Sequence, residues 1–260
     1  MRFMSSLFIS LGFLSNLATA GPLNDTGIDF CSDPVTGVYT PVTATTTCAP
    51  AQGRQDARFG RDPAAQRGAS VGFVKVGGGS KGFDFTKIAN NGTALPATAA
   101  LGPNATDWAC TFDNNTGLMW EVKVNNATHL RHQGHTYSWY DSVKNYGGNA
   151  GTPSGGTCQT SGRCDTEKFV ADVNTVALCG KTDWRMPRVT ELLQIVDRGA
   201  PSLPTIDATY FPSTPASWFW SGSPLAFDAG YAWAVSFDLG RGNAQPRSQT
   251  YQVRVVRAGQ

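Results

Sequence analysis

The sequence predicts an α+β fold of few helices, several short antiparallel strands and much irregular structure. Three observations carry that reading. Segments 83–88, 118–124 and 231–237 alternate along the chain with the period of two expected of half-buried strands. Windows 165–180 and 190–197 carry the 3.6-residue apolar spacing of short amphipathic helices, and 137–146 reads as a third. Between them run stretches of Gly, Pro, Thr and Asn, and strands do not alternate with helices as a parallel α/β sheet would require.

The chain opens with Arg2, an apolar run at 3–14 and Ala18-Thr19-Ala20, the pattern of a cleavable secretory signal over residues 1–20. The apolar run is too short to span a bilayer comfortably, and no later segment is apolar enough for a membrane helix. The expected product is therefore exported, to the periplasm, the cell surface or beyond, with no membrane insertion after cleavage. Residues 21–52 read as a poorly ordered arm, and 53–260 as a single domain. With 21 basic residues against 19 acidic, the chain lacks the net basic footprint of a nucleic-acid binder.

Six cysteines in an oxidising compartment favour disulfides, and six allow fifteen pairings. Cys31–Cys48 and Cys158–Cys164 each close a short Gly/Pro/Thr-rich loop, which leaves Cys110–Cys179. No Cys-x-x-Cys pair supports zinc instead.

Taken in order, 71–76 and 83–88 read as two strands around the turn Gly77-Gly78-Gly79-Ser80. That turn lacks the Gly-Lys-Ser/Thr ending of a phosphate loop. Asp113-Asn114-Asn115-Thr116-Gly117 is a polar turn feeding a strand in which Leu118, Trp120 and Val122 face one way and Met119, Glu121 and Lys123 the other. Trp120 is the core anchor of that strand. His129, His132 and His135, spaced three apart among Asn and Gly, read as a polar loop rather than a metal site. Asp165 caps a helix with Phe169, Val170, Val173, Val176 and Ala177 on its apolar side, ending at Gly180. Thr190 caps a second, with Leu192, Leu193 and Val196 buried. Strands at 218–223, 231–237 and 252–257 close the chain. Trp120, Trp184, Trp220 and Trp233 are expected in the core, with Arg185 as a buried structural arginine.

The ordered set Asp113-Asn-Asn-Thr-Gly-Leu-Met-Trp120, Asp183-Trp-Arg-Met-Pro187, Glu191-Leu192, Ile206-Asp207, Tyr210-Phe-Pro212, Phe219-Trp-Ser221 and Val253-Arg-Val-Val-Arg257 resembles the C-terminal domain of Legionella-collagen-like adhesins, a bacterial family of exported domains. The likeness runs over 108–257. It implies a C-type-lectin-like fold akin to sulfatase-modifying factors, with two early helices, a small twisted antiparallel sheet and long loops bearing the binding surface. The collagen-like repeats of the founding adhesin are absent from this sequence.

That resemblance implies a non-catalytic binding domain for a glycan or other surface polymer, such as a sulfated or acidic polysaccharide or a surface protein. Arginine grips sulfate or carboxylate through paired hydrogen bonds, and sugars stack on exposed aromatic faces. Arg241, Arg247, Tyr137 and Trp218, near loop edges, are the candidates. Gln245-Pro246-Arg247 puts a cation where calcium lectins of this fold class place a carboxylate, which argues against calcium-mediated sugar binding. A structural calcium at loop carboxylates such as Asp113 or Asp228 stays open. Two alternatives accompany this reading. One is a structural part of an envelope or fimbrial assembly. The other is a cysteine-modifying enzyme like the sulfatase-modifying relatives, against which stands the absence of a cysteine beside a histidine or basic cluster.

Overall fold

The structure, a computed structural model, describes residues 24–28, 30–32, 39–41, 60–61, 64–65, 74–143 and 146–258. The expected signal segment, Cys48 with its expected bridge to Cys31, and most of 53–70 lie outside the described residues.

Two five-stranded sheets make up the body. The first, in the order β12-β6-β5-β3-β4, is antiparallel throughout and uses β3 (Phe85–Ala89), β4 (Ala94–Leu95), β5 (Trp108–Asp113), β6 (Leu118–Glu121) and β12 (Val256–Ala258). The second, β10-β9-β8-β11-β7, uses β7 (Tyr137–Ser138), β8 (Trp218–Pro224), β9 (Tyr231–Ser236), β10 (Arg241–Pro246) and β11 (Thr250–Val253). Its β11 runs parallel to β8, so the single small antiparallel sheet expected from the resemblance is replaced by two sheets, one of them mixed. A separate pair, β1 (Phe30–Ser32) and β2 (Tyr39–Pro41), lies in the arm. The closing strand expected at 252–257 divides at Arg254 and Val255 and serves one sheet with each half.

The polar turn forms as its chemistry requires. Asp113 Oδ1 accepts the backbone N–H of Asn115 and Thr116, and Gly117 takes a φ of +70°, where a side chain would be strained. Asp113 Oδ2 also accepts from Asn24 Nδ2 at 2.8 Å, and Thr26 O accepts from Arg198 N, so residues 24–28 of the arm dock on the body.

Around this turn the expected inside–outside alternation fails. Met119, Glu121 and Lys123 are as buried as Trp120 and Val122. The reason is that β6 lies between two apolar clusters. Met119 packs with Trp139, Phe169 and Trp220, whereas Trp120 packs with Phe85, Phe211 and Phe219. The Glu121 carboxylate meets Lys123 Nζ at 2.8 Å and accepts from Val255 N at 3.2 Å. Arg254 Nη1 donates to Glu121 O at 3.0 Å and its Nη2 to Thr214 Oγ1 at 2.6 Å, while Arg131 donates to Ala109 O and Val122 O. Burial drives Lys123 down to about 8, against the pull of Glu121, and drives Arg254 down to about 10.

Helix α1 (Thr166–Thr175) is capped by Asp165, whose Oδ1 accepts Lys168 N at 2.8 Å, and buries Phe169 and Val173. It stops short of the expected Gly180, because Ala177 and Cys179 both turn into left-handed backbone. Helix α2 (Val189–Leu193) begins earlier than expected: Arg188 N, not Thr190, marks its start and donates to Glu191 Oε2. Of the helix expected over 137–146, the described residues 137–143 form none; Trp139 O and Asp141 N bond across to Thr152 N and Ala150 O instead of along the chain. Of the strand expected over 71–76, residues 71–73 lie outside the described residues and Val74 and Val76 are exposed and not in a strand; among the described residues of this segment only Gly78 bridges to Phe85. Two expected disulfides are present, Cys110–Cys179 and Cys158–Cys164. Among the described residues no helix is long and apolar enough to cross a membrane.

Candidate functional site

The second sheet has two unlike faces. On one, α2 packs against β8, β9 and β10, with Leu192, Phe219, Val235 and Phe237 in one cluster. On the other, the edge strand β10 presents Arg241, Asn243 and Gln245, alternate residues that share a face. Arg241 pairs with Ser236, which pairs with Trp218, so cation and indole stand in register two strands apart, about 10 Å by strand spacing. Tyr251 lies beside Trp218 with ring centroids 6.3 Å apart, rests on Trp220 at 4.9 Å, and donates from its hydroxyl to Gln245 Oε1 at 3.1 Å. Arg241 and Asn243 are exposed; Trp218, Tyr251 and Gln245 are half-buried. Burial raises the Tyr251 hydroxyl above its ordinary value, keeping it a neutral donor. The result is a strip of two aromatic rings, two amides and one guanidinium on a rigid sheet.

Two of the four residues expected to meet ligand do not belong to this strip. Tyr137, at 1% exposure, is in the core, with its ring 4.8 Å from Phe169. It sits on β7 instead of a helix edge because β11 pairs with it directly. Arg247, at 2% exposure, lies over the Trp139 ring at 4.0 Å and donates to Tyr231 O and Asn149 O, which makes it a structural arginine. Asn243, Gln245 and Tyr251 were not anticipated; their signal is the i, i+2 spacing from Arg241 and the aromatic one strand beyond Trp218.

Arg185 reverses the other way. Expected buried, its side chain is 43% exposed and grips Glu191 with hydrogen bonds of 2.7 and 2.8 Å. Trp184, its neighbour, is the buried member of the motif, its indole N–H on Leu178 O at 3.0 Å. Trp120 and Trp220 are buried as expected, but Trp233 is only half-buried, because it lies at the rim of the face that α2 covers. Arg185, Met186, Pro187 and Arg188 line a cleft of about 800 Å³ together with Tyr140, Asp141 and Glu167.

The remaining sequence candidates have structural partners. His135 Nε2 lies 3.2 Å from His129 O, and Asp228 Oδ1 accepts Gly230 N at 2.8 Å. Among the described residues no group of three or more His, Cys, Asp or Glu is arranged to hold a metal.

A family model described as the Lcl C-terminal domain matches residues 109–257, more than half of the chain. No curated protein and no solved structure matches it.

Proposed function

The chain belongs to the Lcl C-terminal domain family, and we propose that it is an exported, adhesin-like, non-catalytic domain that binds an acidic or sulfated glycan on the strip of β8, β10 and β11. One observation carries this reading: Arg241, Trp218 and Tyr251 gather on one face of one sheet. Stacked rings offer a sugar an apolar platform, Asn243 and Gln245 offer amide hydrogen bonds, and an exposed guanidinium offers paired donors to a sulfate or carboxylate. The lectin-like kinship belongs to the same reading. Its non-catalytic part is supported by the pairing of all four cysteines in the family region, which leaves no thiolate there for cysteine chemistry.

The test is binding of the purified protein to immobilised heparin, chondroitin sulfate and a neutral glucan at moderate salt. Acidic polymers are expected to bind and the neutral one to bind less. Trp218→Ala should weaken binding roughly tenfold, as truncating an interface aromatic does. Arg241→Ala should weaken it less and flatten its salt dependence. No binding above background, or equal binding by both variants and the parent, overturns the proposal.

A further inference from the structure

The cleft of about 800 Å³ lies at the opposite end of β8 from Trp218, since Gly222, Ser223 and Pro224 form part of its wall. Its size is that of sites for small organic ligands. Its lining carries both signs of charge. The loop before α1 and the first turn of that helix supply Asp141 and Glu167 beside the Tyr140 ring. The stretch between α1 and α2 supplies Arg185 and Arg188, and Val170, Met186 and Pro187 add apolar lining.

These charged groups are unevenly committed to internal partners. Arg185 is matched by Glu191 through two hydrogen bonds, so it contributes donors more than net charge. The exposed Arg188 side chain forms no salt bridge among the described residues, although Glu191 feels its charge. Elsewhere in the lining, Glu167 Oε2 accepts Ser142 N and Ser142 Oγ, both at 2.7 Å, which fixes the carboxylate in place. Its Oε1 accepts no hydrogen bond among the described residues.

We infer that this cleft binds a zwitterionic ligand, a free amino acid or short peptide, with its ammonium at Glu167 and its carboxylate at Arg188. The planar guanidinium fits a carboxylate through two parallel hydrogen bonds. The Glu167 carboxylate, with Oε1 free of hydrogen bonds among the described residues, fits a compact ammonium. The apolar lining takes an aliphatic side chain. A polyanion is disfavoured here by the Glu167 carboxylate, and a neutral sugar offers no charge to match either Glu167 or Arg188. This site is separate from the glycan strip and stands whether or not that strip binds sugar.

The experiment is an NMR titration of the full chain with alanyl-leucine, N-acetyl-alanyl-leucine and alanyl-leucine amide. The free dipeptide should shift resonances of 140–143, 166–170 and 185–188. Each capped form should bind roughly tenfold more weakly, about one lost charge-assisted contact. Glu167→Gln should weaken the free dipeptide yet leave the acetylated form unaffected, and Arg188→Gln should do the same for the amide. Trp218→Ala should change none of these. No shift with the free dipeptide, or equal affinity for all three ligands, overturns the inference. The three ligands on the parent protein decide the matter even if a variant fails to fold.

Discussion

Glu121–Lys123 and Glu191–Arg185 are the same chemistry in opposite surroundings. The first pair is 2.8 Å apart with side chains 0% and 2% exposed; the second is 2.7 Å apart at 16% and 43%. Glu121 sits where the two sheets meet and faces Lys123, Arg131 and Arg254, whose buried charges all feel it. Glu191 sits beside the cleft-lining Arg185, bonds its guanidinium and the Arg188 N–H, and feels the Arg188 charge as well. Removing charge from water is costly, so the first arrangement cannot be read as a gain in stability over an apolar core. What it supplies is mutual dependence: one carboxylate and its backbone join β6 to the Arg254–Val255 crossing between β11 and β12. The second pair joins only its own loop to its own helix and leaves the rest of the guanidinium facing solvent.

The largest effect should therefore come from Glu121→Gln. Loss of one partner strands buried charge, and about 3–5 kcal/mol of unfolding free energy should disappear, measured by urea denaturation. The double change Glu121→Gln with Lys123→Met should recover a substantial part, because it removes the stranded ammonium as well. A loss below about 1 kcal/mol for the single variant would mean that water reaches this cluster, and the contrast with the Glu191–Arg185 pair would collapse.

Why Glu121 and Lys123 read as solvent-facing in the sequence, and Arg185 as buried, follows from the same contrast. Alternation along 118–124 reports that the two faces of a strand differ, not that one of them is wet. Here the second face is covered by residues far along the chain, among them Phe169 and Val255. No local pattern carries that. Arg185 lies between buried Trp184 and buried Pro187, so its neighbours suggested the core, whereas its own side chain leaves toward Glu191 six residues on. Local chemistry was legible wherever a side chain bonds its own backbone neighbourhood, as at the Asp113 turn and the Asp165 cap. The binding strip was half legible: Arg241 and Trp218 were visible as an edge cation and an aromatic, but Tyr251 joins them through a parallel pairing of β11 with β8 that a hairpin-by-hairpin reading does not anticipate.

A pH series sharpens the comparison next. Lys123 is held near 8 in the folded protein, below the value of about 10.4 in an unfolded chain. Between pH 8 and 10 the unfolded chain then binds more protons than the folded one, so stability must rise with pH, on the order of 2 kcal/mol. Arg254, driven down to about 10 by burial, acts in the same direction at higher pH. Above pH 10, Tyr137, raised by burial and by Glu121, opposes the trend because the unfolded phenol ionises first. Lys123→Met should abolish the rise between pH 8 and 10, as followed by thermal unfolding at each pH. A parent protein whose stability falls steadily over that window would place the ammonium in contact with water.

The smallest effect belongs to Arg185→Lys at the cleft. Burial alone would raise the Glu191 carboxyl, but the Arg185 hydrogen bonds and the Arg188 N–H outweigh it and hold it below the ordinary carboxylate range. The stability this pair contributes is thus present above the unfolded value of about 4.3 and lost as pH falls through the depressed folded value. Lysine keeps the charge and loses the two-pronged grip, and solvent screening limits what the grip is worth, so the loss at pH 7 should be less than about 1 kcal/mol. Below the folded value Glu191 is protonated and has no charge to pair, so parent and variant should converge there. Urea unfolding at pH 7 and at successively lower pH, until the Glu191 carboxyl is protonated, measures both points. A loss at pH 7 as large as that of Glu121→Gln would make the Glu191–Arg185 pair a structural equal of the buried one, and the cleft would then be a part of the core that happens to be open.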